Sequence, residues 1–339
     1  MGKQSCAPPQ YSHPTRGILA CLPSTWVPYA ELIRLNKPTG VLNIHFPYLF
    51  GALYGVWLSG PRLEIGIVLA RMLLLLATSF VLRSFGCAWN DFIDQDLDRQ
   101  VKRSCLRPLA RGAINNSNAI VYIIALYFAW LSLVVASLPK QGTHYWPFYL
   151  GPVTLLVLAY PFAKRVSHHA QVFLGVTLAW GIPIGATVMD ADPLLLSSKE
   201  IGVSFRLGIL AFMGAYVLWS VIHDTVYAFQ DLQDDLRAGA KSMAVYYHSS
   251  SNARSLLIGC GLLMVLLQIA VGHLASAQWM YQILSSGGSG LVVGIMLWRV
   301  RLESPQDCEW WFKNGTRAWG LLVTIGLTME CVPRLRTLG

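Results

Sequence analysis

Charge is what this chain lacks. Only 13% of its 339 residues are Asp, Glu, Lys or Arg, and 54% are hydrophobic. A soluble globular protein carries about 25% charged residues. The balance excludes an ordinary soluble domain and points to a polytopic membrane protein. The seven cysteines (6, 21, 87, 105, 260, 308 and 331) form no CxxC and show no metal-ligand spacing. Neither a zinc site nor a redox dithiol is expected from them. HExxH and GxGxxG are absent, which removes the zincin and dinucleotide-binding readings. Gly239-Ala240-Lys241-Ser242 lacks the glycine that precedes the lysine of a Walker A loop. Acid and strong base are also scarce in residues 1–28, where Lys3 and Arg16 are the basic residues and no secretory apolar run occurs. We expect residues 1–28 to be a flexible N-terminal segment and 29–339 to form one transmembrane domain.

What is abundant is long apolar sequence. Nine segments are each about long enough to span a bilayer, at roughly 41–59, 65–88, 119–138, 148–163, 171–189, 206–222, 256–276, 279–299 and 316–333. The expected fold is all-α, with nine transmembrane helices. The net charge of +9 comes from basic residues scattered through short loops, not packed in one run. No nucleic-acid partner is therefore expected, and the basic residues read as membrane topology. Of the 26 Lys and Arg, 18 fall on the side shared by the N-terminus and the loops after the second, fourth, sixth and eighth segments, and six on the other. That bias places the first group in the cytosol.

Eight of the 17 acidic residues lie in two loops of that cytosolic group. The first cluster holds Asp91, Asp94, Asp96 and Asp98 after Asn90, and the second holds Asp224, Asp231, Asp234 and Asp235. Carboxylates beside apolar spans are costly and mark functional sites. If the first cluster extends its helix, Asp91, Asp94 and Asp98 fall within about 60° of one face. Asp224, Asp231 and Asp235 fall within about 40° of one another. Asp96 and Asp234 lie off these stripes. Two such faces on one side of the membrane suit Mg²⁺, which takes oxygen ligands from one or two carboxylates and from substrate phosphates.

Cations flank both clusters: Arg99, Lys102, Arg103, Arg107 and Arg111 after the first, Arg237 and Lys241 after the second, Lys164 and Arg165 between them. Arginine forks and lysine point charges both suit phosphate oxygens, and topology alone is an equally good reason for Arg99, Lys102 and Arg111. The eight histidines, including His168, His169 and His223, lack ligand spacing. The uncharged run Ser285-Ser286-Gly287-Gly288-Ser289-Gly290 reads as a flexible turn or a close helix contact.

These residues resemble a known family. Asn90-Asp91-x-x-Asp94-x-x-x-Asp98, followed by Val101 through Leu109 with Arg103 and Arg107-Pro108-Leu109, looks like the first signature of the UbiA family of intramembrane aromatic prenyltransferases. Asp224-Thr225-Val226-Tyr227-Ala228-x-Gln230-Asp231-x-x-x-Asp235 with Gly239-x-Lys241-Ser242 looks like the second. Tyr160-Pro161-x-x-Lys164-Arg165 and Arg34-Leu35-x-Lys37-Pro38-x-Gly40 are similar to the 4-hydroxybenzoate polyprenyltransferase branch. Ala170-Gln171 departs from the Pro-Gln usual in the ubiquinone branch, and the whole looks more like the fungal meroterpenoid members.

The resemblance implies helices around a central cavity. It also implies transfer of a prenyl group, farnesyl in the fungal branch, from its diphosphate to a polyketide phenol or phenolic acid. Asn90, Asp91, Asp94 and Asp98 would hold one Mg²⁺, and Asp231 and Asp235, with Asp224, a second. Arg103, Arg107, Lys164, Arg165 and Lys241 would bind the diphosphate. Tyr160 and Tyr227 would face the allylic cation, and Arg34 would meet an acceptor carboxylate or anchor at a lipid headgroup. The expected setting is the bilayer of the endoplasmic reticulum or another endomembrane, more than the mitochondrial inner membrane, with the active site facing the cytosol. The expected partners are a prenyl diphosphate and a small aromatic acceptor; no obligate protein partner is indicated. The alternatives are a 4-hydroxybenzoate polyprenyltransferase of ubiquinone synthesis and, in another class, a cation-coupled transporter.

Overall fold

The structure, a computed structural model, describes residues 11–37, 39–59, 63–138, 146–193 and 202–335. Among these residues every element is helical. The short α1 (Val27–Leu32) leads into α2 (Thr39–Ser59), α3 (Ile65–Ile93), the single turn α4 (Gln95–Asp98), α5 (Asn116–Ser137) and α6 (Trp146–Val166). Then come α7 (Ala170–Ala179), α8 (Gly181–Val188), α9 (Val203–Ala228), α10 (Leu232–Ala238), α11 (Met243–Tyr246), α12 (Ser250–Leu274), α13 (Trp279–Tyr281), α14 (Gly288–Arg299) and α15 (Pro305–Leu335). Each of the nine expected apolar segments falls in helix.

Among the described residues, eight helical stretches are long and apolar enough to cross a membrane. The ninth expected span lies in α15, whose Thr316, Arg317, Thr324, Thr328 and Glu330 dilute its apolar character. The eight divide into inner and outer helices. The spans in α2 and α7–α8 are 72% and 67% buried, whereas those in α5 and α6 are 22% buried. The outer helices present Leu73, Phe128, Leu155 and Leu262 outward, a surface that suits lipid and would aggregate in water.

The inner helices pack through small residues. A methyl group added at Gly51 would overlap the Ile182 carbonyl, and one at Gly185 would overlap that of Tyr48, so α2 and α8 run in backbone contact. An aromatic stack joins α2 to two further helices. Phe50 lies parallel to Phe212 at 5.5 Å, and Trp219 parallel to Trp319 at 4.5 Å, joining α2, α9 and α15. Serine and glycine serve α15 in the same way. Ser285 sits in a π-helical stretch, Gln282–Gly287, and donates to the Val323 carbonyl at 3.4 Å. The run from Ser285 to Gly290 is thus a helix contact and not a turn.

The long helices fix which end carries the acids. At one end Arg71 of α3 donates to the Val188 carbonyl and to Asp190, both at 2.8 Å. At the other, α3 and α9 both finish among aspartates, and Arg103 joins the two finishes by an ion pair to Asp231. The even number of crossings between the clusters, expected from hydropathy, is what the bundle contains.

The α2–α8 seam generates a test. Gly51→Ala should force the backbones apart and lower stability by about 1–3 kcal/mol, the usual range for overpacking. Thermal melting of the detergent-purified protein reads this, and an unchanged midpoint would show that the seam tolerates a methyl group.

Candidate functional site

The first acid cluster begins on the last turn of α3 and passes a break. The Asp94 amide bonds to the Asn90 carbonyl at 2.9 Å and the Asp98 amide to the Asp94 carbonyl at 2.8 Å, with Asp94 itself at the junction of α3 and α4. The single uninterrupted helix expected from periodicity is therefore turned at Asp94. The three acids still face inward: Asp91, Asp94 and Asp98 are 1%, 4% and 7% exposed. Asn90 is half-buried beside them. Asp96 points out and pairs with exposed Arg99 at 3.3 Å.

Arginines hold these acids. Arg34 adopts a left-handed backbone, φ 58°, just past α1, which is uncommon for a residue with a side chain. Arg83 pins this turn by donating to the carbonyls of Ile33, Arg34 and Lys37 at 3.1, 3.2 and 2.9 Å. Gly40 leaves room for that guanidinium; a Cβ there would lie 2.6 Å from Arg83 Nε. So placed, Arg34 Nη2 donates to both oxygens of Asp91 at 2.6 and 2.8 Å. Arg34, expected at an acceptor carboxylate or a headgroup, holds Asp91 here. Arg107 Nη1 donates to Asp91 at 3.1 Å and to both oxygens of Asp98 at 2.8 Å.

The second cluster is also broken. A 3₁₀ turn, Phe229–Asp231, separates α9 from α10, so the acids leave ideal helical spacing. Arg103 spans the gap between the clusters. Its Nε and Nη2 fork onto Asp231 at 2.6–2.9 Å, and Nη1 donates to the Tyr227 hydroxyl at 3.2 Å. Asp234 accepts from the Lys102 amide at 3.3 Å.

The charges shift one another. Burial raises the Asp98 carboxyl above its ordinary pKa, and Arg107 opposes that rise. Burial would lower the Arg34 and Arg103 guanidiniums, but Asp91 and Asp231 respectively hold them above the ordinary value. Burial, and then the charges of Arg34, Arg103 and Arg107, lower the Lys37 ammonium to about 8, with Glu309 opposing.

These groups line one cavity of about 640 Å³. Of the expected site residues, Arg34, Asp94, Asp98, Arg103, Arg107, Tyr160, Asp224, Tyr227, Asp231, Asp235 and Lys241 reach its wall. Asp91 lies behind Arg34 and Arg107, joined to both. Arg165 donates to the Ile93 carbonyl at 2.7 Å and Lys241 to that of Val166 at 3.3 Å, so both sit at the end of the bundle where α3 and α6 finish. The side chain of Lys164 lies outside the described ones. Gln171, the neighbour of the departure at Ala170, lines the cavity and accepts from the Met243 amide at 3.2 Å.

Sequence reasoning missed several wall residues. Lys37 lies in the Arg34–Gly40 stretch, where the sequence pattern assigns it no role. Asn43 carried no signal. His223 has no ligand spacing in the sequence, although it precedes Asp224. Glu309, Phe312, Lys313 and Arg317 come from the first turns of α15, which the fold brings across the cavity.

Among the described residues no three His, Cys, Asp or Glu side chains converge as an all-protein metal cluster. The acids instead offer hard oxygen donors beside guanidinium forks. That set fits Mg²⁺, which keeps part of its shell for phosphate oxygens and water.

A sequence model of the UbiA prenyltransferase family matches residues 48–322. The chain is 40% identical over 238 residues to the polyprenyl transferase ausN of Penicillium brasilianum, covering 70% of each chain. It is 36% identical over 239 residues to the DMOA farnesyltransferase nvfB of Aspergillus novofumigatus, covering 69% of each. Two solved structures share its fold. A UbiA homologue from Aeropyrum pernix superposes with a TM-score of 0.63 at 22% identity, over 86% of this chain and 96% of that one. A UbiA homologue from Archaeoglobus fulgidus, bound to GPP and Mg²⁺, gives 0.63 at 17% identity, over 91% and 99%. With its all-helical bundle, its apolar spans and its paired acid clusters, the chain is an integral membrane protein that belongs to the UbiA prenyltransferase family.

Proposed function

We propose that the chain transfers a prenyl group, farnesyl before others, from its diphosphate to an aromatic polyketide phenol or phenolic acid in meroterpenoid biosynthesis. The observation that carries this reading is the meeting of both acid clusters and their arginines on one cavity. The named farnesyltransferase among its relatives supports the prenyl length. The reading also puts the cavity mouth on the cytosolic face of the endoplasmic reticulum or another endomembrane, by the bias of basic loops.

Asp91, Asp94 and Asp98 with Asn90 would hold one Mg²⁺, and Asp231 and Asp235 with Asp224 a second. The ions would supply charge neutralisation on the diphosphate oxygens as the allylic C–O bond breaks. Arg103, Arg107, Arg165, Lys164 and Lys241 would give donors to the same oxygens, with Lys37, which also lines the cavity, an added cation. Tyr227 and Phe312, with ring centroids 4.1 Å apart, and Tyr160 line the cavity, where an allylic cation would gain cation–π stabilisation. The apolar bundle excludes the water that would otherwise capture it. An electron-rich ring carbon then bonds to the allylic carbon. Its proton leaves to restore aromaticity and balances the departing diphosphate anion.

Two tests follow from this site. Asp91→Ala and Asp231→Ala should each abolish transfer while the protein still inserts in membranes, and EDTA should stop the wild-type reaction until Mg²⁺ is restored. Near-normal turnover by either purified variant would remove the metal assignment. The second concerns pH. Lys37 is charged at pH 7 and loses its proton as pH rises through about 8, whereas a free lysine holds it to about 10.4. Its attraction for the diphosphate is complete below that pH and fades above it. The KM for prenyl diphosphate should therefore rise from pH 7 to pH 9, and Lys37→Met should flatten the rise. Identical pH profiles in both proteins would show that Lys37 takes no part.

A further inference from the structure

The same cavity wall holds a neutral polar pair. Asn43 of α2 and His223 of α9 are 180 positions apart in sequence, and Asn43 Nδ2 lies 3.2 Å from His223 Nε2. Both side chains are buried, Asn43 8% and His223 1% exposed, and both line the cavity beside Asp224 and Tyr227. The other ring nitrogen of His223 lies 2.8 Å from the Trp219 carbonyl. A carbonyl only accepts, so Nδ1 carries the proton. Nε2 then has the lone pair and accepts from the Asn43 amide. The reverse amide orientation would require a doubly protonated, buried imidazolium with no carboxylate hydrogen-bonded to it, which is costly.

This assignment leaves one group over. Asn43 Oδ1 is buried and receives no hydrogen bond among the described residues. A buried carbonyl oxygen without a donor is unfavourable and uncommon in folded proteins. Its surroundings are aromatic. His223 is stacked between Trp219, at 5.2 Å and 15°, and Phe312, at 5.3 Å and 27°. Phe312 in turn meets Tyr227, whose hydroxyl accepts from Arg103 at the second acid cluster. The wall therefore runs from Arg103 and Asp231 through aromatic rings to the Asn43 amide oxygen.

We propose that Asn43, held by His223, recognises the hydroxyl of the aromatic acceptor: Asn43 Oδ1 accepts the phenolic proton and sets which part of the ring faces the allylic carbon. The inference rests on the prenyl-transfer reading and assigns its acceptor end. The ligand class is a neutral hydrogen-bond donor on an aromatic ring. A carboxylate does not fit this position, since it would set acceptor against acceptor. Asn43 acts by touching the substrate, whereas His223 is a positioning residue that fixes the amide.

The test compares a phenolic acceptor with its O-methyl ether, using farnesyl diphosphate and purified wild-type, Asn43→Leu and His223→Phe proteins. Methoxy and hydroxyl groups donate to the ring to a similar degree, so the comparison reads the hydrogen bond more than the ring's nucleophilicity. Wild type should favour the phenol by about tenfold or more in kcat/KM, the scale of one lost buried hydrogen bond. Asn43→Leu should bring the phenol down to the level of the ether while the KM for farnesyl diphosphate stays within about twofold. His223→Phe, which keeps the stack but frees the amide, should reduce the preference in part. If Asn43→Leu does not accumulate, Asn43→Ala makes the same comparison. Equal use of phenol and ether by wild type, or a preference that survives loss of Asn43, overturns the inference and leaves the prenyl-transfer reading intact. Failure of the wild-type protein to transfer any prenyl group to any phenol would sink that reading, and this inference with it.

Discussion

The structure depends on placing several carboxylates at one end of an apolar bundle, where their mutual repulsion must be countered by cations. Asp91, Asp94 and Asp98 are all nearly closed to solvent. Buried charges persist only when paired, and removing one partner of such a pair costs about 3–5 kcal/mol. Arg34 and Arg107 converge on Asp91, Arg107 also holds Asp98, and Arg103 holds Asp231. The same forks are good phosphate ligands. A diphosphate with its cations would exchange one set of ionic contacts for another of like kind, so the cluster's charges can remain compensated when substrate enters.

That arrangement constrains the rest of the bundle. The N-terminal turn must carry Arg34 to Asp91, and Arg83 fixes that turn through three backbone carbonyls. Gly40 is needed to leave space for Arg83. Farther from the acids, glycine contacts between α2 and α8 bring the inner helices together, and the aromatic stack joins α2, α9 and α15. The outer helices leave their apolar faces to lipid. The loop between α4 and α5 supplies Arg103 and Arg107 to different acid clusters, so its course ties the two ends of α3 and α9 together.

Much of this was legible in sequence because membrane spans write themselves as long apolar runs, and because hydropathy fixes which loops share a side. The shared end of Asp91 and Asp231 follows from that count alone. The turns at Asp94 and at Phe229–Asp231 did not show, since periodicity extrapolates a helix through any sequence free of glycine or proline. Nor did the carboxylate partners of Arg34, Arg103 and Arg107, which are tertiary choices among several nearby acids. Glu309, Phe312 and Lys313 were out of reach for another reason: α15 crosses the cavity only once the chain is folded. The Asn43–His223 pair joins two helices that no local pattern connects.

The central claim is that the two acid clusters form one diphosphate site. It is tested most directly by calorimetric binding of an unreactive farnesyl thiodiphosphate in the presence of Mg²⁺ to wild type, Asp94→Asn, Asp235→Asn and the double variant. A single shared site predicts that each substitution weakens binding and that the double variant loses far less than the sum, with a coupling of about 1–3 kcal/mol. Strictly additive losses, or binding that ignores one of the two clusters, would contradict it.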